Sequence, residues 1–263
     1  SNLTLEQQKN LFGNAYLNML WHCPTDQRFP YWVHLPDCYY DEKDPHYKLL
    51  VIIHGTGCAV EDYVRHAKEL ADRDHVAVLA PLFPGGLIQR DDFNSYKLLS
   101  CDGVRYDQIL LDMIDDMAKR YPGVETDKFF LFGHSGGGQF VNRFLFAHPE
   151  KLRACAIGAP GRPTFLNPDE DYFWGTRDFK NYFGHDVDLA AVQKVPVLVI
   201  VGDTKFIGDS PYGDNRVARM KSLQKNLQDH GVHTELTILP GFAHEGGEKE
   251  RVQAAQHFFE AYL

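Results

Sequence analysis

The 263-residue sequence has no run of basic side chains, no Cys-X-X-Cys pair and no apolar stretch near the roughly 20 residues that cross a bilayer. Acidic residues outnumber basic ones, 36 Asp plus Glu against 27 Lys plus Arg, for a formal charge of −9 that sets nucleic acid aside as a partner. The longest apolar runs, such as Val195 to Val201 and Leu49 to Ile53, are too short for a membrane helix. Five cysteines (Cys23, Cys38, Cys58, Cys101, Cys155) are odd in number and widely spaced, so they suggest neither a zinc site nor a complete disulfide framework. They read as reduced packing thiols, and a cytoplasmic location is the corresponding expectation. Ser1-Asn2 opens the chain without methionine or an apolar signal stretch, and reads as a processed terminus or an appended remnant.

What is present is a composition suited to one large core. The hydrophobic fraction is 44%, and a chain of this length buries about 70 to 75% of the surface it exposes when unfolded, without needing cross-links. One domain spanning 1–263 is the expectation. From residue 48 onward, short β-branched runs alternate with segments of helical period, the pattern of a parallel sheet covered on both faces. Strands are read at Lys48 to His54, His75 to Ala80, Lys128 to Phe132, Leu152 to Ile157, Val195 to Val201 and His233 to Leu239. Helices are read at Ala59 to Arg73, Arg105 to Tyr121, Gly136 to Ala147, Asp214 to Asp229 and Glu250 to Leu263. Tyr31 to Leu35 reads as an early edge strand. Pro81 to Ser100 and Gly161 to Lys194 do not fit the alternation, and loops this long inside a compact domain are usually functional.

Phe129 to Gly137 reads FFLFGHSGG, a Gly-X-Ser-X-Gly element between an apolar strand and a helix. Such a turn exposes Ser135 above the sheet, and the strand and helix then pass too closely for side chains at Gly133 and Gly137. A serine hydroxyl needs a base, and of 13 histidines His244 fits best. It sits in the loop Gly241-Phe242-Ala243-His244, after the last strand. Asp203 leaves the carboxyl end of Val197 to Val201, where open α/β sheets assemble their crevices, and is the candidate for orienting the histidine. Asp209 and Asp214 are its rivals further along the loop. His54-Gly55-Thr56-Gly57 follows the first parallel strand, so Thr56 N–H with Gly136 N–H is the candidate oxyanion hole, and Gly57 is an alternative donor.

The motifs HGTG, GHSGG, VGD and GFAH, in that order from about Lys48 to Leu263, make the chain resemble the α/β-hydrolase superfamily, and more loosely its esterase, polyester-depolymerase and feruloyl-esterase members. Residues 1 to 47 match nothing in that pattern, and HGTG departs from the HGGG of many lipases. The resemblance implies an eight-stranded, mostly parallel, doubly wound sheet with residues 161–194 inserted as a cap or lid after the sixth strand. It also implies a Ser135, His244, Asp203 triad that cleaves a small-molecule carboxylic ester through an acyl-enzyme, with no metal or organic cofactor. Thioesters, lactones and peptides remain open on the same triad, as does a ligand-binding protein that keeps the fold without turnover. Phe165, Tyr172, Phe173, Trp174, Phe179, Tyr182 and Phe183 crowd the insertion. They read either as a packed satellite core or as a substrate wall, with Trp174 the candidate binding residue.

Overall fold

The computed structural model describes residues 3–203 and 213–263. Eight strands form one sheet: β1 (Leu20–His22), β2 (Pro30–His34), β3 (Tyr47–Ile53), β4 (Val76–Pro81), β5 (Val124–His134), β6 (Leu152–Gly158), β7 (Val197–Gly202) and β8 (Thr234–Leu239). Their order across the sheet is β1-β2-β4-β3-β5-β6-β7-β8. From β4 to β8 every pairing is parallel, while β2 runs antiparallel to both β1 and β4. Tyr31 to Leu35 is thus not an edge. Leu20–His22 lies outside it, and three residues of mixed exposure carry too little alternation to be read as a strand from sequence.

The longer helices are α1 (Leu5–Phe12), α2 (Val60–Asp74), α3 (Tyr106–Arg120), α4 (Gly136–Ala147), α5 (Arg216–Asp229) and α6 (Glu248–Glu260). Each crossover helix buries a stripe at helical spacing; in α2 it is Val60, Tyr63, Ala67 and Ala71. The two-residue period of the strands divides the apolar residues between two cores. Leu49, Val51 and Ile53 join α3, α4 and α5 on one face, with Phe140, Phe144, Met113 and Leu223. Leu50, Ile52, Phe130 and Phe132 join α2 and α6 on the other, with Ala67, Ala71 and Phe259. Burying each large apolar side chain contributes about 1.5–3 kcal/mol, so a sheet covered on both sides is well supported without disulfides. All five cysteines are free, Cys23 and Cys155 in the interior.

Residues 161–194 connect β6 to β7 through two short helices, Phe179–Phe183 and Leu189–Val192. Phe165, Leu166, Phe179 and Phe183 are buried within the larger core, so much of the aromatic density serves packing. Among the described residues no helix is long and apolar enough to cross a membrane.

Candidate active site

Ser135 is the single residue between the end of β5 and the start of α4. Its φ of 58° and ψ of −114° lie where non-glycine residues are rare, so the surrounding contacts must hold the turn. Its N–H donates to Gly158 O at the end of β6 (2.8 Å), and its carbonyl accepts from Gln139 N in α4 (3.0 Å). The glycines on either side are required by proximity. A Cβ at Gly133 would stand 2.5 Å from the Gly137 carbonyl, and one at Gly137 would stand 2.2 Å from Ile53 O.

His244 Nε2 lies 2.9 Å from Ser135 Oγ, the geometry in which a neutral ring protonated on Nδ1 accepts from the hydroxyl. Three contacts hold the loop that carries this histidine. His134 Nε2 donates to His244 O (2.8 Å). Arg251 of α6 donates to Ala243 O (2.5 Å) and His244 O (3.2 Å). Asp203 Oδ1 accepts from Gly241 N (2.8 Å). At the end of β7 the loop passes so close that a Cβ on Gly202 would meet Phe242 O at 2.2 Å. Burial, then the cations Arg216 and Arg251, lowers the His244 pKa to about 4.

Asp203 is exposed at the carboxyl end of β7, and its one side-chain hydrogen bond among the described residues goes to Gly241 rather than to the imidazole. His244 Nδ1 is buried and has no hydrogen-bond partner among the described residues. Asp214 is exposed ahead of α5, and Asp209 lies outside the described residues. The structure therefore brings Ser135 and His244 together and puts Asp203 at the other end of the histidine loop.

Thr56 and Gly136 do meet. Thr56 N lies 3.3 Å from the position a Cβ on Gly136 would take, with Lys97 Cε and Tyr96 Oη each 2.6 Å from it. Neither amide donates to another group among the described residues. Lys97 was not singled out in the sequence; its one signal was membership of the long Pro81 to Ser100 segment. It is 7% exposed, and its ammonium donates to Thr56 Oγ1 (2.7 Å) and Asn94 Oδ1 (2.6 Å). Burial, reinforced by Arg143 and Arg162, lowers its pKa to about 8. His54, the first residue of HGTG, is structural: its Nε2 accepts from Phe83 N (2.9 Å) and its Nδ1 donates to Gly55 O (2.7 Å).

These groups open on a cavity of about 440 Å³ whose wall includes Ser135, Thr56, Lys97, Arg162, Phe173 and Arg216. Trp174 is not in that wall. It borders a separate outer hollow with Asp169, Asp171 and Arg177, and its neighbour Phe173 borders both that hollow and the Ser135 cavity. The Arg143 and Arg162 guanidinium carbons lie 5.1 and 5.9 Å from the Phe173 ring centre, within reach of a cation–π attraction. Among the described residues, one group has the makings of a metal site, Cys38, Glu42 and His75. The Tyr47 hydroxyl already donates to Glu42 there (2.9 Å), and none of the three lines the cavity.

No family model matches the sequence, and no curated protein matches it. Solved structures do match. A poly(3-hydroxybutyrate) depolymerase from Bordetella parapertussis superposes with a TM-score of 0.75 at 19% identity, over 99% of this chain and 95% of that one. A poly(aspartic acid) hydrolase from Sphingomonas sp. KT-1 gives 0.74 at 19% identity, over 91% and 96%. A ferulic acid esterase gives 0.67 at 17% identity, over 94% and 97%. Likeness at such low identity carries architecture rather than chemistry, and by that architecture the chain has the fold of the α/β-hydrolase superfamily.

Proposed function

We propose that this protein is a serine hydrolase that cleaves a carboxylic ester through an acyl-enzyme. The observation that carries the reading is the 2.9 Å approach of Ser135 Oγ to His244 Nε2, at a strained turn facing a cavity. In this mechanism Ser135 attacks the carbonyl while His244 takes its proton and returns it to the leaving alcohol. Water then attacks the acyl-enzyme, with the same histidine as base. The Thr56 and Gly136 amides receive the oxyanion as charge develops on it, and the Lys97 ammonium behind Thr56 adds to the positive potential there. Asp203 anchors the Gly241 end of the histidine loop and is the proposed acid for His244. The chemistry named for the structural neighbours, depolymerase, hydrolase and esterase, supports hydrolysis in general. An alkoxide leaves more readily than an amide nitrogen, which favours esters; thioesters, lactones and peptides are the other substrates for the same groups.

Labelling with a fluorophosphonate probe tests the reading. Wild-type protein should label, and Ser135→Ala should not. A folded wild type that neither labels nor hydrolyses any member of a panel of aryl esters, thioesters and lactones would support a binding role instead.

A further inference from the structure

The cavity has a charge opposite to that of the molecule. In a chain with formal charge −9, the described residues that line the cavity include Lys97, Arg162, Arg216 and Arg219 and no Asp or Glu. Most other Arg and Lys contacts are ordinary pairs, such as Arg105 with Asp107, Arg120 with Asp116 and Arg153 with Glu125. Lys97, Arg162 and Arg216 form no ion pair among the described residues. Lys97 is held by neutral oxygens. Arg216 Nη1 donates to Ala159 O (2.7 Å), while its Nε is buried without a partner among the described residues. Beneath them Arg143, 0% exposed, donates to Lys97 O, Arg162 O, Thr164 Oγ1 and Gln139 Oε1 and, among the described residues, to no carboxylate. Among the described residues the carboxylates that act on this group are Asp92 behind Lys97 and Glu245, which is near Arg216 and 3.9 Å from His244 Nε2, and neither is in the wall.

Gathering cations in a partly desolvated cleft is unfavourable unless an anion completes it. Guanidinium forks suit a planar, charged oxygen pair. We infer that the substrate of Ser135 is an anionic ester, whose acyl or alcohol part carries a carboxylate or phosphate that the Arg162 and Arg216 side chains receive while its carbonyl sits at Ser135. This rests on the hydrolase reading above and adds the charge of the substrate to it. The cationic wall would both draw such a substrate in and orient it.

Two matched pairs test it. One is mono-para-nitrophenyl glutarate against para-nitrophenyl pentanoate, for charge on the acyl side. The other is meta-acetoxybenzoate against meta-acetoxybenzamide, for charge on the alcohol side. In at least one pair the anion should have the higher kcat/KM, by about tenfold at low ionic strength, and the advantage should shrink in about 0.5 M NaCl. Arg162→Gln and Arg216→Gln should each reduce the anion-to-neutral ratio by about threefold or more. Arg162 is exposed and its side chain makes no hydrogen bond among the described residues, so that variant should fold normally. A purely structural defect would lower both members of a pair alike.

Calorimetry on Ser135→Ala provides a readout independent of turnover. Binding of glutarate or of inorganic phosphate, weakened by Arg162→Gln, supports the inference and identifies the anion. Equal kcat/KM within both pairs, or no binding of either anion at tens of millimolar, overturns it even if Ser135 labels. An unlabelled Ser135 in a protein that still binds the anions would overturn the hydrolase reading alone.

Discussion

At the scale of single residues, the approach of Ser135 to His244 governs what substitution should do. Ser135→Ala and His244→Ala should each lower kcat by about 10⁴-fold or more with the fold retained, because members of such a unit fail together; steady-state kinetics beside a circular dichroism spectrum checks both. The pH profile is more diagnostic. The sequence alone predicts that kcat/KM rises through roughly pH 6 to 7, the range of an unperturbed histidine. With the His244 pKa lowered to about 4, the ring stays neutral and basic down to that region, so kcat/KM should be flat from pH 8 to about 5 and fall as the pH passes through about 4. An inflection at pH 6 to 7 would mean that a carboxylate reaches Nδ1 in the free enzyme and raises the pKa. Asp203→Asn, which alters the anchor at Gly241, should lower kcat by about 10²- to 10⁴-fold. If Asp214→Asn proves the more harmful, Asp203 is not the acid.

Among the elements, the turn between β5 and α4 is the least tolerant of change. A Cβ on Gly137 would need to move backbone atoms of Ile53 and His54, so Gly137→Ala should cost about 1–3 kcal/mol or more, as overpacking does, read from urea melts. The β6–β7 connection should behave differently at two adjacent positions. Phe173→Ala, in the wall beside Ser135, should alter relative kcat/KM across esters of different size, whereas Trp174→Ala, on the outer hollow, should leave those ratios unchanged. The parallel strands and crossover helices were legible in the sequence because each carries a full period of buried residues, as Tyr63, Ala67 and Ala71 do in α2. Gly-X-Ser-X-Gly and the order of motifs likewise pointed to Ser135 and His244. Leu20–His22 was not legible, being too short to show a period. That the Phe173 ring reaches the Ser135 cavity was not legible either, since the Arg143 guanidinium it meets lies thirty positions earlier in the chain. Nor does any local pattern reveal that Lys97, Arg162 and Arg216 converge, since they come from two separate connections and the first turn of α5.

Over the whole molecule, buried neutral histidines set the response to acid. Burial lowers His54 to about 4 and His134 to about 3, below the unfolded value near 6.5. The unfolded chain then binds more protons than the folded one between these values, so stability is complete above about pH 6.5 and declines as the pH falls toward 4. The loss at pH 4 is on the order of 3 kcal/mol for each of the two groups. Urea melts at pH 7 and pH 4.5 should show most of that decline, and equal stability at both would contradict it. The second core has a further consequence, in the time taken to make the chain. Gln256 of α6 donates to Ala67 O of α2 across 189 positions, and Phe259 stacks on Phe130 with ring centres 4.8 Å apart. At about 5–20 residues per second, a ribosome needs about 10–40 s to pass from one helix to the other. Phe130 itself waits 129 positions for Phe259, about 6–26 s at that rate, and until α6 emerges the apolar face that carries it stays open to contacts outside the native fold.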